Sequence, residues 1–138
     1  MNGTRLPPGD AYKRLLDSEF RDWQLKVHGL VNRPLTLSLA QLQDMPSRTQ
    51  ITLHNCDEGW SALLDAIHPQ TVLAYGMNGK PLPIGHGAPL RLRVELQIGY
   101  KNAKFVDRIE VVDRLDSIGK GRGGWWEDFD RAVWYAGQ

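Results

Sequence analysis

The chain has a single cysteine, Cys56, at the head of Cys56-Asp57-Glu58-Gly59-Trp60-Ser61. A thiolate is a soft ligand and suits a transition metal that also binds sulfur. Two other readings stand beside that one. A lone cysteine is more often a small buried hydrophobe. As a nucleophile it would need a base, with His54 and His86 as candidates, yet no recognisable nucleophile motif surrounds it.

A second group is His86-Gly87-Ala88-Pro89-Leu90-Arg91, where His and Arg flank a Gly/Pro turn leading into an alternating segment. Arg91 offers a planar fork of donors and His86 one more, which matches the oxygens of a phosphate. A third is Tyr100-Lys101-Asn102-Ala103-Lys104-Phe105. Lys104 would add a point charge to the same anion, and exposed amides around Asn102 would donate to it. Taken singly, each is more often an ordinary polar loop with a solvated cation.

The elements that must position these groups can be read from periodicity. Ala11 to Phe20 has a helical apolar face in Leu15, Leu16 and Phe20, with Asp10 as its cap. Trp23, Leu25 and Val27 alternate with Gln24 and Lys26, the period of a half-buried strand. After a turn over Gly29 to Pro34, Leu35 and Leu37 resume the alternation, and Ser38 caps a short helix that stops near Pro46. Ile51 and Leu53 suggest a strand running into Cys56, and Ala62 to Ile67 one or two helical turns. Thr71 to Tyr75 is β-prone, and Asn78-Gly79 is the strongest turn signal in the chain. Leu90, Leu92 and Val94 alternate with Arg91, Arg93 and Glu95, a further strand. Phe105 to Val112 gives another, with Val106, Ile109 and Val111 as its apolar residues. The expectation is one mainly β, mixed-sheet α+β domain over residues 1–138, without repeats or a dividing linker.

Composition narrows the partners. The 138 residues include 17 Lys plus Arg against 16 Asp plus Glu, a net charge of +1, with 41% hydrophobic residues. That is ordinary for a globular domain and gives no reason to expect nucleic acid or an anionic membrane surface as the main partner. One cysteine excludes an intramolecular disulfide. No apolar run approaches a membrane span, and Met1 to Asp10 lacks the features of a signal peptide. The plain expectation is the cytoplasm, or the periplasm if a leader was removed.

A family pattern joins the scattered signals. The chain resembles the sulfite oxidase-like molybdopterin-binding domains, especially bacterial members related to the periplasmic sulfoxide-reducing subunit. The resemblance is carried by Trp23-Gln24-Leu25-Lys26-Val27-His28-Gly29, by Cys56-Asp57-Glu58-Gly59-Trp60-Ser61 and by His68-Pro69-Gln70-Thr71-Val72-Leu73-Ala74-Tyr75-Gly76-Met77-Asn78-Gly79-Lys80-Pro81-Leu82-Pro83. It continues through His86-Gly87-Ala88-Pro89-Leu90-Arg91-Leu92, Gly99-Tyr100-Lys101, Lys104 and Arg108-Ile109-Glu110 to Gly123-Gly124-Trp125-Trp126-Glu127. It implies that Cys56 is the catalytic thiolate on molybdenum beside the pterin dithiolene. It also implies that His86 and Arg91, with the Asn102, Ala103 and Lys104 loop, hold the pterin and its phosphate. The cofactor would then be molybdenum-molybdopterin, and Trp60 could wall a pocket for a small-molecule substrate.

The chain departs from the family in one stretch. Family members continue past the cysteine motif through a Lys-Trp-Thr-Gly-Val type run, a helix, a strand and an aromatic loop. Here Ser61-Ala62-Leu63-Leu64-Asp65-Ala66-Ile67 leads almost at once to His68, so a few dozen residues are missing. An upstream segment that touches the cofactor is also expected in the family, with Asn2-Gly3 as its last trace. The leading expectation is an oxidoreductase moving an oxygen atom to or from a small sulfur- or oxygen-containing substrate. The alternative is a non-catalytic remnant that binds or oligomerises. No haem motif is present, so the resemblance implies a separate electron-transfer protein; a homo-oligomer would cover apolar surface left by the missing strand.

Overall fold

The computed structural model describes residues 6–51, 68–95 and 102–113. Helix α1 (Asp10–Asp17) places Tyr12, Leu15 and Leu16 on one face, at the spacing that buries a helical stripe. Its N-cap is Gly9, with no side-chain cap, so Asp10 is a first-turn acid near the positive helix end and not the expected cap. The helix also stops earlier than its apolar period suggests. The Glu19 amide donates to Leu16 O and the Phe20 amide to Leu15 O, at 2.9 and 2.7 Å, while Glu19 and Phe20 take φ of 52° and 61°. This crossed pair of bonds satisfies the last carbonyls in the Schellman manner, without the usual glycine. Phe20 is thereby turned onto the core.

Strand β1 (Gln24–Gly29) pairs antiparallel with β2 (Leu35–Ser38), Leu25 opposite Leu37 and Val27 opposite Leu35. Its other edge pairs parallel with β7 (Arg108–Val111), Val27 opposite Ile109 and Gly29 opposite Val111. A Cβ at Gly29 would overlap the Val111 carbonyl oxygen. In place of a side chain, the neighbouring Leu30 amide reaches that oxygen at 2.7 Å. Helix α2 (Leu39–Gln43) opens on a reciprocal capping box: Ser38 Oγ accepts from the Gln41 amide, and Gln41 Oε1 accepts from the Ser38 amide. The order β2-β1-β7 gives a mixed sheet.

A second unit is the antiparallel pair β3 (Val72–Ala74) and β6 (Arg91–Arg93), Leu73 opposite Leu92. Between them, β4 (Gly76–Met77) and β5 (Lys80–Pro81) form a hairpin closed by Asn78-Gly79, both in the left-handed region that a type I′ turn requires. Trp23, Leu25 and Leu90 are the buried centre of one core, with Leu37, Leu73, Tyr75, Val106 and Ile109 packed around it. Both sheet units therefore share that core, and the domain is the mainly β α+β type expected.

Two further expectations change at the margins. Ile51 lies in no strand and is 99% exposed. The strand expected from Phe105 begins only at Arg108; Phe105 takes φ 58°, outside the β region. The cysteine motif, the strand leading into it, the turns from Ala62 to Ile67, Tyr100-Lys101 and the aromatic tail lie outside the described residues. Among the described residues, no helix is long and apolar enough to cross a membrane.

Candidate anion-binding site

The site is assembled from two segments that the sequence separates and the fold brings together. The first begins with a 3-10 turn, Ile84–His86, closed by bonds from the His86 amide to Pro83 O and from the Gly87 amide to Ile84 O. Gly87 then takes φ 102°, and the chain passes through the cis peptide Ala88–Pro89 into buried Leu90. The second runs antiparallel beside it. Ala103 O accepts from the Leu92 amide at 2.8 Å, Leu90 O from the Val106 amide at 2.9 Å, and Gly87 O from the Phe105 amide at 3.3 Å.

Gly87 is required twice over. Its φ is left-handed, and an added Cβ would stand 2.7 Å from the Lys104 Cβ. The absent side chain lets the Lys104 stem cross the turn, where its ammonium donates to Gly85 O at 2.8 Å. Arg91 reaches the same turn from β6, its Nη1 donating to His86 O at 3.2 Å. Two cationic heads thus sit on adjacent carbonyl oxygens, with the exposed imidazole of His86 beside them. His86, Arg91 and Lys104, chosen from separate motifs, occupy one place.

The two arginines of β6 differ sharply. Arg93 Nε donates to Glu95 Oε1 at 2.8 Å in a largely buried ion pair, and its Nη1 approaches Asn102 Oδ1 at 3.4 Å. Arg91 has no carboxylate partner among the described residues, and its buried Nε donates to nothing there. Desolvation, and after it the charge of Arg93, lowers the Arg91 pKa below the ordinary guanidinium value. A desolvated cation with an orphaned donor is costly unless an anion completes it. Phosphate oxygens would supply that partner, so the donor set fits a phosphate-bearing group.

Asn102 and Ala103 contribute differently from the exposed amides expected. The Asn102 side chain is 1% exposed, and its Oδ1 accepts from the Val94 amide at 2.8 Å. The side chain therefore holds the second segment against β6, while Ala103 faces solvent with its carbonyl in the ladder. Cys56 lies outside the described residues. Among those described, no group of three or more His, Cys, Asp or Glu side chains could hold a metal ion.

Two supporting residues were not anticipated. Glu95 neutralises Arg93, and the signal for it was opposite charge two positions along a strand, hence on one face. Tyr12 donates its hydroxyl to Ala88 O at 2.7 Å and lays its ring edge-on to Phe105, with centroids 4.9 Å apart. Burial raises its pKa above the ordinary phenol value. Its only sequence signal is a polar tip on the helical stripe it forms with Leu15 and Leu16.

Known proteins share much of this sequence. The model of the oxidoreductase molybdopterin binding domain matches residues 13–63 and 59–117, more than half of the chain. A protein-methionine-sulfoxide reductase subunit of Azospira oryzae is 30% identical over 168 aligned positions, which cover 91% of this chain and 61% of the relative. Protein-methionine-sulfoxide reductase catalytic subunits of Xanthomonas axonopodis and Xanthomonas campestris are 27% and 26% identical over 165 positions, covering 80% of this chain and 50% of each relative. The chain spans about half to three-fifths of the length of these curated relatives. In the Azospira alignment the 168 positions use about 126 residues of this chain (91% of 138), so about 42 positions of the relative face gaps here. The two matched stretches meet at 59–63, where the sequence departs from the family pattern. A matching model over most of the chain, a mainly β fold and a phosphate-fitting cation cluster agree: the chain belongs to the family of oxidoreductase molybdopterin-binding domains.

Proposed function

We propose that this domain is a molybdopterin-dependent oxidoreductase that reduces a sulfoxide, with methionine sulfoxide in proteins as the substrate class. The observation that carries the cofactor part of the reading is Arg91, half-buried, orphaned at Nε and set beside the Lys104 ammonium; the substrate class follows the names of the relatives. Arg91 would grip the pterin phosphate through its guanidinium fork, Lys104 would add a point charge, and His86 would donate from the exposed side. Asn102 would act by fixing the loop, and Ala103 by keeping backbone rather than bulk against the pterin. Cys56 would be the protein's thiolate on the metal.

When bound, the molybdenum-pterin group supplies exchange of an oxygen atom coupled to two electrons. Overall, the sulfur–oxygen bond breaks, two electrons and two protons are consumed, and a thioether and water leave. The electrons would come from a separate electron-transfer protein. Both cationic segments lie on the C-terminal side of the 59–63 discontinuity, so the phosphate-holding arm is spared whatever the shortening removes. That favours a cofactor-binding domain over an inert remnant.

The test is turnover of free and peptide-bound methionine sulfoxide with a reduced dye as electron donor, using protein from a host that makes the cofactor. Turnover that disappears in Cys56→Ser, together with the molybdenum, supports the reading. Fully loaded protein that leaves every sulfoxide untouched overturns the substrate. A Cys56→Ser variant that keeps wild-type molybdenum overturns the ligand.

A further inference from the structure

We infer that Tyr12 is a positioning residue of the anion site, clamping its two segments together from below. This rests on the reading of that site as the phosphate-holding arm. Gly87 and Lys104 make the contact that brings the segments together, the Lys104 stem crossing where Gly87 lacks a Cβ. Tyr12 grips the next residue on each side: its hydroxyl donates to the carbonyl of Ala88, and its ring meets Phe105 at 77°. One side chain, 76 positions from Ala88 along the chain, thus holds both strands of the arm at the point where the cations converge.

The hydroxyl is what distinguishes this role from core filling. Tyr12 is 7% exposed, and a phenylalanine would fill the same space against Phe20 and Phe105. Burying a phenol is tolerable only if its O–H is satisfied. The partner it finds is a carbonyl in the turn that carries His86 and leads into Arg91. Helix α1 is thereby tied to the site by a directional bond as well as by apolar packing. The Phe105 amide, which donates to Gly87 O at 3.3 Å, is a direct reporter of whether the two segments stay closed.

The experiment compares wild type, Tyr12→Phe and Arg91→Met. Three quantities are read well below the melting temperature: amide exchange at Phe105 and Leu92, inorganic phosphate affinity of the cofactor-free protein, and the rate of pterin loss from loaded protein. Tyr12→Phe removes one buried hydrogen bond. It should speed exchange at Phe105 and weaken phosphate binding by roughly threefold to tenfold, while exchange at Leu25 and Val27 in β1 stays unchanged. Pterin loss should accelerate by a similar factor. Arg91→Met should abolish phosphate binding without altering exchange at Phe105.

Unchanged exchange at Phe105 in Tyr12→Phe overturns the inference. So does faster exchange with unaltered phosphate affinity, since Tyr12 would then be structural only. Phosphate binding that weakens as expected, in a protein that takes up no pterin even from a host making the cofactor, upholds the clamp and overturns the cofactor reading. Wild-type protein that binds neither phosphate nor pterin overturns both.

Discussion

Strands β1 and β6 both alternate apolar and polar residues, yet they bury them differently. In β1, Leu25 is buried and its neighbour Lys26 is exposed, as in any sheet with one wet face. In β6 the flanking Leu90 and Val94 are buried, but Arg91 and Arg93 are half-buried as well. There the 102–106 segment lies beside β6, hydrogen-bonded along it through Ala103 and Val106. Half-buried cations must be satisfied internally or with a ligand. Arg93 does the first, through Glu95; Arg91 is left to do the second. The comparison separates residues that hold the fold from residues that wait for a partner.

Substitutions can break that contrast. The largest effect belongs to the shared core. Trp23→Ala should cost about 3–5 kcal/mol of unfolding free energy, because a large buried ring leaves a cavity that a rigid sheet cannot close. Chemical denaturation measures it, and a loss under 1 kcal/mol would mean the core is elsewhere. Next comes Arg91→Met, which replaces a cation carrying an orphaned donor with an apolar chain of similar length. Cofactor-free stability should stay level or rise, since a buried unmet donor costs about 1–3 kcal/mol, while pterin content falls tenfold or more. A stability loss like that at Trp23 would erase the distinction between the two strands. The smallest effect is Ser38→Ala, which removes half of the capping box and should cost about 1 kcal/mol with pterin content unaltered.

How much of this was legible in the sequence depended on whether the cause was local. The strand periods of Trp23, Leu25 and Val27 and of Leu35 and Leu37 were visible because one face is wet, so period two survives in the residue types. Ser38 and Asn78-Gly79 were visible because cap and turn chemistry act within a few positions. The end of α1 was hidden, since Glu19 and Phe20 adopt left-handed φ where glycine is the usual signal. The parallel pairing of β1 with β7 joins residues 26 and 108, and no local pattern announces it.

The site was legible in the same uneven way. His86, Arg91 and Lys104 could be singled out by type, and the family pattern implied that they act together. That Arg93 is satisfied and Arg91 is not depends on Glu95 and Asn102, which are matters of three-dimensional packing. For Tyr12 the sequence offered only a polar tip on a helical stripe, because its partner Ala88 lies 76 positions away.

The most direct test of the account is the molybdenum and pterin content of the folded chain, purified from a host able to make the cofactor. Metal analysis and fluorescence of the oxidised pterin would be read on the same sample. The account predicts near-stoichiometric amounts of both, with the pterin lost in Arg91→Met. A folded wild-type protein containing neither would contradict it.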